Sequence, residues 1–408
     1  MPHTQCCIVG GGPAGMMAGL LLARAGVEVT VLEKHHDFLR DFRGDTVHPS
    51  TLRLLDELGL GERFAKLPQR KLEQMRMHIG DRTIVAADFR RIPGPHRYIA
   101  MVPQWDFLGL LAEAAAEEPS FTLCVATEFV GLTTESGRVT GVEIRDRDGD
   151  VETLSADLVL ACDGRASTAR EAAGLRQQMF DVPMDVWWVR IPALARGADD
   201  RHDAQVFARF GGGRAAVTLD RGDYYQTSYL IPKGADERLR AKGIQWLRDE
   251  FAEMFGWDAE LLAAIRDWHD VKLLEVTMGR LPIWHAEGLL CLGDAAHTMS
   301  PVGGVGVNFA IQDAVAAARI LAEPLRTGTL RRADLAKVQR RREWPVKLTQ
   351  KSQLNEHDTL LGPALDDTLT AVPGALRLVG RVPALAGLTA YLGGIGIRRE
   401  RAPAFARA

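Results

Sequence analysis

The sequence contains no pair of cysteines at the C-x-x-C spacing, although it has five cysteines in 408 residues. That spacing is typical of structural zinc sites and redox dithiols, so the sequence disfavours both kinds of site. We predict that the five thiols are small buried side chains in a reducing compartment. They are Cys6, Cys7, Cys124, Cys162 and Cys291.

Excess charge and long apolar runs are also scarce. The formal net charge is −3 at pH 7, which offers no polycationic surface for nucleic acid. No uninterrupted apolar stretch reaches the roughly 18–20 residues that span a bilayer, and the first residues lack the basic segment of a secretory signal. We therefore expect a cytoplasmic protein. The composition, 46% hydrophobic and 25% charged, is that of a globular chain.

A glycine-rich turn follows the first apolar segment. Gly10, Gly12 and Gly15 lie in the run G-G-G-P-A-G, between a predicted strand at 6–9 and a predicted helix from Pro13. In such a unit the glycines permit a tight turn, a close pyrophosphate and close helix–strand packing. Glu33 ends the next predicted strand, 18 residues after Gly15, where a carboxylate can bind ribose hydroxyls. The pattern predicts a dinucleotide site, with an ordinary glycine turn as the alternative.

Two later motifs extend this pattern. The first is C-D-G-R-A-S-T-A-R at 162–170, and the second is G-D-A-A-H at 293–297, followed by P-V-G-G-V-G-V-N at 301–308. In order and spacing, the three motifs resemble the single-component (class A) flavoprotein monooxygenases with the p-hydroxybenzoate-hydroxylase fold. The resemblance covers most of the chain. Val305 is a departure, since many members have glutamine there.

The resemblance implies a set of residues that bind FAD. Asp294 would accept a hydrogen bond from the ribityl chain, and the backbone at Gly304 and Gly306 would meet the flavin N1–C2=O edge, where a helix N-terminus stabilises reduced flavin. The full implied set is Gly10, Gly12, Pro13, Ala14, Gly15, Glu33, Lys34, Arg43, Gln104, Val130, Asp163, Gly164, Asp294, Gly304, Gly306, Val307 and Asn308. The backbone of Pro301 would border flavin C4a, and no catalytic side chain is predicted.

The resemblance also implies the reaction. NADH or NADPH reduces the tightly bound FAD, O₂ adds at flavin C4a, and the hydroperoxide hydroxylates or epoxidises an aromatic or polyketide-like molecule. A related reductase or halogenase is one alternative, and a nucleotide-binding module without turnover is another. The halogenase signature is broken at Val189, in W-W-V-R-I-P at 187–192.

The implied fold class is α/β. A Rossmann-like, three-layer FAD-binding domain would comprise residues 1–70, 97–179 and 275–330. A mostly antiparallel substrate-binding sheet would be inserted at 71–96 and 180–274, and a helical segment would follow at 331–408. The strand patterns between 121 and 154 predict a four-stranded β-meander, with a separate strand at 157–162.

The substrate site is the least specified part of the sequence. Aromatic residues cluster in the inserted region, where Trp188, Arg190, Tyr225 and Tyr229 are the predicted substrate contacts, with Trp187 and Phe207 as further candidates. Packing in the core is the alternative for each of them. His48 could deprotonate a phenol or simply begin a helix, and His297 is expected to orient its loop.

The apolar, arginine-containing segment 372–397 has three possible partners: the rest of the chain, the second subunit of a homodimer, or a membrane surface. Packing on the rest of the chain or on a second subunit is the favoured expectation.

Overall fold

The computed structural model describes residues 2–39, 45–192, 206–221 and 224–407. The described strands, in chain order, are β1 (His3–Val9), β2 (Val29–Leu32), β3 (Thr46–Val47), β4 (Arg70–Leu72), β5 (Gln74–Ile79), β6 (Arg82–Asp88), β7 (Ile99–Met101), β8 (Phe121–Cys124), β9 (Glu128–Glu135), β10 (Arg138–Arg145), β11 (Val151–Ala161), β12 (Gln178–Phe180), β13 (Met184–Pro192), β14 (Val206–Gly211), β15 (Arg214–Asp220), β16 (Tyr224–Pro232), β17 (Val271–Leu274), β18 (Met278–Arg280), β19 (His285–Ala286), β20 (Leu289–Cys291) and β21 (His297–Thr298).

The helices lie mainly between the strands of the N-terminal half and at the C-terminal end. They are α1 (Pro13–Arg24), α2 (Pro49–Glu57), α3 (Gly61–Ala65), α4 (Gln104–Ala116), α5 (Thr168–Ala172), α6 (Asp236–Arg240), α7 (Ile244–Phe255), α8 (Ala259–Leu262), α9 (Gly306–Arg326), α10 (Arg332–Glu356), α11 (Gly362–Leu365), α12 (Gly374–Arg381) and α13 (Pro383–Gly394). A π-helical turn, His357–Leu361, follows α10.

An eight-stranded sheet forms the centre of the molecule. Its main path has the order β19-β20-β11-β1-β2-β8, with parallel pairing from β20 through β8. The apolar residues of β1 and β11 are buried on both faces, as expected for central parallel strands. Helices α1, α4 and α9 pack together against this core. The predicted α/β class, with an antiparallel second sheet and a helical C-terminal part, is confirmed.

Two strand predictions in this region were wrong. Strand β8 pairs in parallel with β2 and takes no part in the meander, which consists of β9, β10 and β11. Short apolar strands look alike in sequence, so only the pairing separates an edge strand from a meander strand. The predicted break between 154 and 157 is also absent, because β11 continues from Val151 to Ala161 and pairs with β10 along its first half and β1 along its second.

The cysteines follow their prediction. Cys6, Cys7, Cys162 and Cys291 are buried, Cys124 is partly buried, and burial raises the pKa of each thiol.

One segment in the described part of the chain, Val302–Arg326, is long and apolar enough to cross a membrane. Most of it is buried against α1 and α10, so it is the core helix of this fold.

A seven-stranded sheet forms the second layer, in the order β17-β13-β16-β15-β14-β5-β6. All its pairs are antiparallel except β14 with β5, which is parallel. This parallel pair joins the strands before residue 90 to the strands after residue 180. One face, here called the helix-covered face, includes Trp187, Ile191 and Tyr229 and packs beneath α6, α7 and α8. The opposite face, the loop-facing face, includes Val186 and Trp188 and packs against Val302 and the π-helical turn.

A small three-stranded sheet, β3-β7-β4, completes the interface between the two larger sheets. Met101 of β7 pairs with Thr46 on one side and Arg70 on the other. The start of β3 and the start of β4 therefore lie on either side of the same β7 residue.

Candidate functional site

The predicted cofactor residues meet at one edge of the eight-stranded sheet. The N-terminal glycine turn (residues 10–15) follows β1, Glu33 follows β2, Asp163 follows β11, and Asp294 follows β20. Because these four strands are parallel, their carboxyl ends open onto the same crevice. Backbone hydrogen bonds continue past the strand ends: Gly10 N–H donates to Leu32 O at 2.8 Å.

The N-terminal glycine turn requires its glycines. Gly10 has φ of 105°, and a Cβ atom there would lie 2.6 Å from the carbonyl oxygen of Cys162. A Cβ on Gly15 would lie 1.9 Å from the carbonyl oxygen of Gly10. A Cβ on Gly12, by contrast, would meet nothing within 4 Å. The turn is therefore closed toward the protein at Gly10 and Gly15 and open toward the crevice at Gly12.

Glu33 holds this turn from the neighbouring strand. One carboxylate oxygen accepts the N–H of Gly11 at 3.0 Å, and the other accepts the N–H of His35 at 3.0 Å. The side chain is 2% exposed. Its position at the end of β2, beside the N-terminus of α1, suits a carboxylate that also accepts ribose hydroxyls.

Asp163 shapes the loop that follows β11. Its carboxylate accepts the N–H of Ala169 at 3.0 Å and the hydroxyl of Ser167, which itself caps α5. Gly164 has φ of 86° and open space on its Cα. Arg165 reaches from this loop to within 4.0 Å of the Asp294 carboxylate.

A buried ionic network supports the loop that carries Asp294. Asp313 of α9 accepts hydrogen bonds from Gly293 N–H at 3.2 Å, His297 Nε2 at 2.6 Å and Arg342 Nε at 2.9 Å. Burial would raise the pKa of Asp313, but His297 and Arg342 outweigh burial and hold the pKa below its ordinary value. Arg342 lies 3.9 Å from Glu400. The Glu400 carboxylate accepts hydrogen bonds from Nε and Nη2 of Arg341. The network thus fixes the 293–297 loop against α9, α10 and the C-terminal residues.

The second glycine segment, here called the glycine-rich loop (residues 301–306), lies between the two larger sheets. The carbonyl of Gly304 accepts the Thr46 hydroxyl at 3.0 Å and lies 2.9 Å from His48 Nε2. The other ring nitrogen of His48 lies 3.1 Å from the carbonyl of Gly393, at the end of α13. Burial lowers the pKa of His48, although both carbonyls act in the opposite direction. Both ring nitrogens lie within hydrogen-bond distance of backbone carbonyls, so His48 links the loop to α13.

Asn308 is the third residue of α9 and is held from α2. The hydroxyls of Ser50 and Thr51 lie 2.8 Å and 2.7 Å from its side-chain oxygen. Within the described part of the chain no side chain caps the start of α9, so its first N–H groups remain available to a ligand.

These residues fit the FAD that the resemblance implies. The open space at Gly12 and Gly306 is where a pyrophosphate and a flavin edge would pass, and side chains there would fill it. The N-termini of α1 and α9 have no side-chain cap from their N-cap residues and face the crevice. Both helix ends favour negative charge there. Gly12 and α1 would hold the pyrophosphate, Glu33 the ribose and Asp294 the ribityl chain.

Four further predicted cofactor residues lie on separate elements. Gln104 begins α4, Val130 is partly buried in β9, Val307 is partly buried in α9, and Lys34 is exposed after Glu33. Arg43 lies outside the described residues.

The four predicted substrate residues do not form one group. Trp188 and Arg190 are on the loop-facing face, opposite Ser228 and Gln226 of β16. Tyr229 is on the helix-covered face, 4% exposed, and donates to Glu250 of α7 at 3.0 Å.

Tyr225 also packs with the helices, stacked on Trp257. Trp187 is fully buried on the same face and donates to Asp236 at 2.6 Å. Of Phe207 only the backbone is described.

The indole N–H of Trp188 has no hydrogen-bond partner within the described ranges, although the nitrogen is buried. Buried donors normally have a partner, so this unpaired N–H, on the face that packs against the glycine-rich loop, is a candidate ligand contact. Beside it, Arg190 stacks on Tyr224 at 3.7 Å.

Sequence reasoning missed the residues that hold the site together. Asp313 and Arg342 carry no motif, and their roles depend on contacts between separate helices. Asp45 follows the F-R-G segment that the resemblance singled out, yet its partner Arg221 lies far along the chain. Proximity to Arg43 was the one signal that could have pointed to Asp45.

Comparison with known proteins gives a consistent result. A protein-family model described as "FAD binding domain" matches residues 3–352. The 6-methylpretetramide 4-monooxygenase of Streptomyces rimosus is 33% identical over 94% of this chain and 90% of its own length. Protoasukamycin 4-monooxygenase of Streptomyces nodosus subsp. asukaensis is 26% identical over 80% of this chain and 81% of its own.

Among solved structures, p-nitrophenol 4-monooxygenase PnpA of Pseudomonas putida DLL-E4 superposes with a TM-score of 0.76 at 19% identity. The match covers 98% of this chain and 100% of that one, so the fold is shared along the whole length.

Proposed function

The chain belongs to the FAD-binding domain family and is an FAD-dependent monooxygenase, and we propose that it hydroxylates a fused-ring aromatic polyketide. Its co-substrates are O₂ and NADH or NADPH. When bound, FAD supplies hydride acceptance and oxygen activation. The relative at 33% identity is named for action on 6-methylpretetramide, which supports a substrate of this kind.

The unpaired indole of Trp188 carries the proposal for where the substrate binds. The loop-facing face presents Trp188 beside Ser228 and Val217, in one row across three strands. A flat aromatic molecule can stack or pack on such a row while an oxygen substituent accepts the indole N–H. The opposite wall is the glycine-rich loop, since Val302 packs on the same cluster as Trp188.

A second row on this face has two polar members and is called the polar row. Arg190 pairs across the sheet with Gln226, which is 1% exposed, and Gln226 pairs with Leu219. A substrate with hydroxyl or carbonyl groups along one edge would lie with that edge toward Arg190 and its apolar rings toward Trp188. The residues thereby orient the ring carbon that is oxygenated, and the two packed sheets exclude water.

The experiment is a product analysis with labelled oxygen. Purified FAD-loaded protein is incubated with fused-ring aromatic polyketides, NADH or NADPH, and ¹⁸O₂. We expect one labelled oxygen atom in the product. Gain of two hydrogens or of a halogen, or absence of any substrate-dependent product across the panel, would refute the proposal.

The proposal also covers where the enzyme acts and the state of its substrate. We propose that the enzyme acts in the cytoplasm on a dissolved substrate, as the burial of the Val302–Arg326 segment supports. The possible homodimer stays a prediction, and membrane contact of segment 372–397 stays the less favoured alternative.

A further inference from the structure

Two adjacent residues at the end of β15 carry opposite charges, and both pair with residues beside the small sheet. Asp220 lies 3.3 Å from Arg70, at the start of β4. Arg221 donates to the carboxylate of Asp45, which directly precedes β3. Because β3 and β4 both pair with β7, the two ion pairs lie side by side across the interface between the small sheet and the seven-stranded sheet.

The Asp45–Arg221 pair is buried and hydrogen-bonded. The side chains are 12% and 6% exposed. Besides Arg221, the Asp45 carboxylate has the backbone N–H of Gln104 and the side-chain amide of Gln226 close by. Arg221 Nε donates to Gln226 Oε1 at 2.9 Å. Burial raises the pKa of Asp45, and these donors oppose that rise.

Each partner is connected to a different part of the reaction site. Asp45 O accepts Val102 N–H at 2.9 Å, and the next residue, Thr46, donates to the carbonyl of Gly304 in the glycine-rich loop. On the other side, Gln226 lies in the polar row of the loop-facing face, opposite Arg190. The pair therefore joins the backbone that would carry the flavin to the strand that would carry the substrate.

We propose that Asp45 and Arg221 are positioning residues that set the spacing between the glycine-rich loop and the substrate face, and so control how much reduced flavin oxygenates substrate. This inference rests on the proposed function. When oxygen transfer fails, the two electrons from NAD(P)H and two protons convert O₂ to hydrogen peroxide. A small displacement of the substrate face therefore diverts turnover from product to peroxide, because oxygen transfer requires close alignment.

The physical reason is the cost of an unpaired buried charge. Asp45→Asn leaves Arg221 without its counter-charge, and Arg221→Gln leaves Asp45 without its own. Either change lets water enter between the two sheets or lets the backbone there shift. The exchange Asp45→Arg with Arg221→Asp restores charge balance at the same place.

The test measures the coupled fraction, product formed per NAD(P)H consumed, together with hydrogen peroxide, FAD retention and the absorbance spectrum of bound FAD. We expect Asp45→Asn and Arg221→Gln to lower the product-to-peroxide ratio by about tenfold while FAD is retained. The exchanged double variant should recover most of the ratio. Arg221→Lys keeps the positive charge but loses the planar guanidinium. Its product-to-peroxide ratio should lie between those of wild type and Arg221→Gln.

A matched control lies at the other end of the same strand. Arg214 begins β15 and pairs with Glu250 and Glu253 of α7, away from the interface. Arg214→Gln should leave the coupled fraction unchanged.

The inference is overturned if the single variants couple like wild type, if the double variant is no better than the singles, or if coupling falls only in proportion to lost FAD. If Asp45→Asn does not fold, equal coupling in Arg221→Lys and wild type overturns it as well. A wild-type protein that forms no oxygenated product instead refutes the proposed function, since these comparisons begin from a coupled enzyme.

Discussion

The two large sheets form their binding surfaces from different chemical groups. At the edge of the eight-stranded sheet, backbone groups at strand ends form the crevice, and glycines keep it open. On the seven-stranded sheet, the surface is made of side chains, and strand alternation decides which of them face the glycine-rich loop. Trp187 and Trp188 are neighbours in sequence, yet one is core and the other lies on the loop-facing face.

This contrast separates what each region can tolerate. A backbone site depends on turns and close approaches, so small steric changes there should affect both stability and FAD. A side-chain surface depends on single groups, so changes there should affect substrate and leave FAD in place. Four substitutions, taken from the largest expected effect to the smallest, test that division.

Asp313→Ala should have the largest effect. It leaves Arg342 and His297 beside an empty buried position and releases the N–H of Gly293. We expect a loss of about 3–5 kcal/mol in the free energy of unfolding and loss of bound FAD, measured by urea denaturation and flavin absorbance. Asp148→Ala, at an exposed turn, is the control and should change little. Retention of FAD in Asp313→Ala would contradict the role of this network.

The same carboxylate predicts an acid limit. Its folded pKa is below the ordinary value, so its contribution is complete above the unfolded pKa of about 3.9 and is lost as pH falls from there through the folded pKa. In Asp313→Ala this part of the acid dependence should disappear.

Gly10→Ala should cost about 1–3 kcal/mol and weaken FAD binding, because the added Cβ meets Cys162 O and φ is positive. Gly26→Ala separates the two causes. Gly26 also has positive φ, 75°, but its Cβ would meet nothing within 4 Å. Fluorescence titration with FAD should show weaker binding in Gly10→Ala alone. Equal FAD affinity in both variants would mean that the close approach at Gly10 is unimportant.

Trp188→Phe should act on substrate alone. The ring is kept and the indole N–H is lost, so we expect KM for the substrate to rise about tenfold, with FAD retention unchanged. Steady-state kinetics on the FAD-loaded enzyme measures this. An unchanged KM would show that the indole donor does not contact the substrate.

Tyr229→Phe should have the smallest effect. Tyr229 donates to Glu250 beneath α7, and Arg214 still pairs with Glu250 after the change. We expect a loss of about 1 kcal/mol in stability and no change in kcat/KM, measured by thermal unfolding and by turnover. A clear fall in kcat/KM would mean that the helix-covered face communicates with the reaction site.

The cofactor edge was largely predictable because its information is local. Gly10, Gly15 and Glu33 are set by spacing along two strands and one helix, and the spacing is visible in sequence. The later G-D-A-A-H and glycine segments added order along the chain. The fold class followed from the family resemblance that these motifs carry.

The substrate face was not predictable in the same way. Alternation in β13 shows that Trp187 and Trp188 face opposite sides, but it does not say which side receives helices and which faces the glycine-rich loop. The Asp45–Arg221 contact joins residues far apart in sequence, and no periodicity links them. Both features depend on how the sheets pack, which a single sequence does not encode locally.

The support of the 293–297 loop has a consequence for biosynthesis. The N-terminal glycine turn is translated first, but the ionic network reaches Glu400, and Arg342 also donates to the carbonyl of Arg398. A nascent chain on the ribosome can form β1, α1 and β2 early, yet it lacks the residues that complete this network until Glu400 has been joined. We therefore expect stable assembly with FAD only after the residues that secure the loop have been translated.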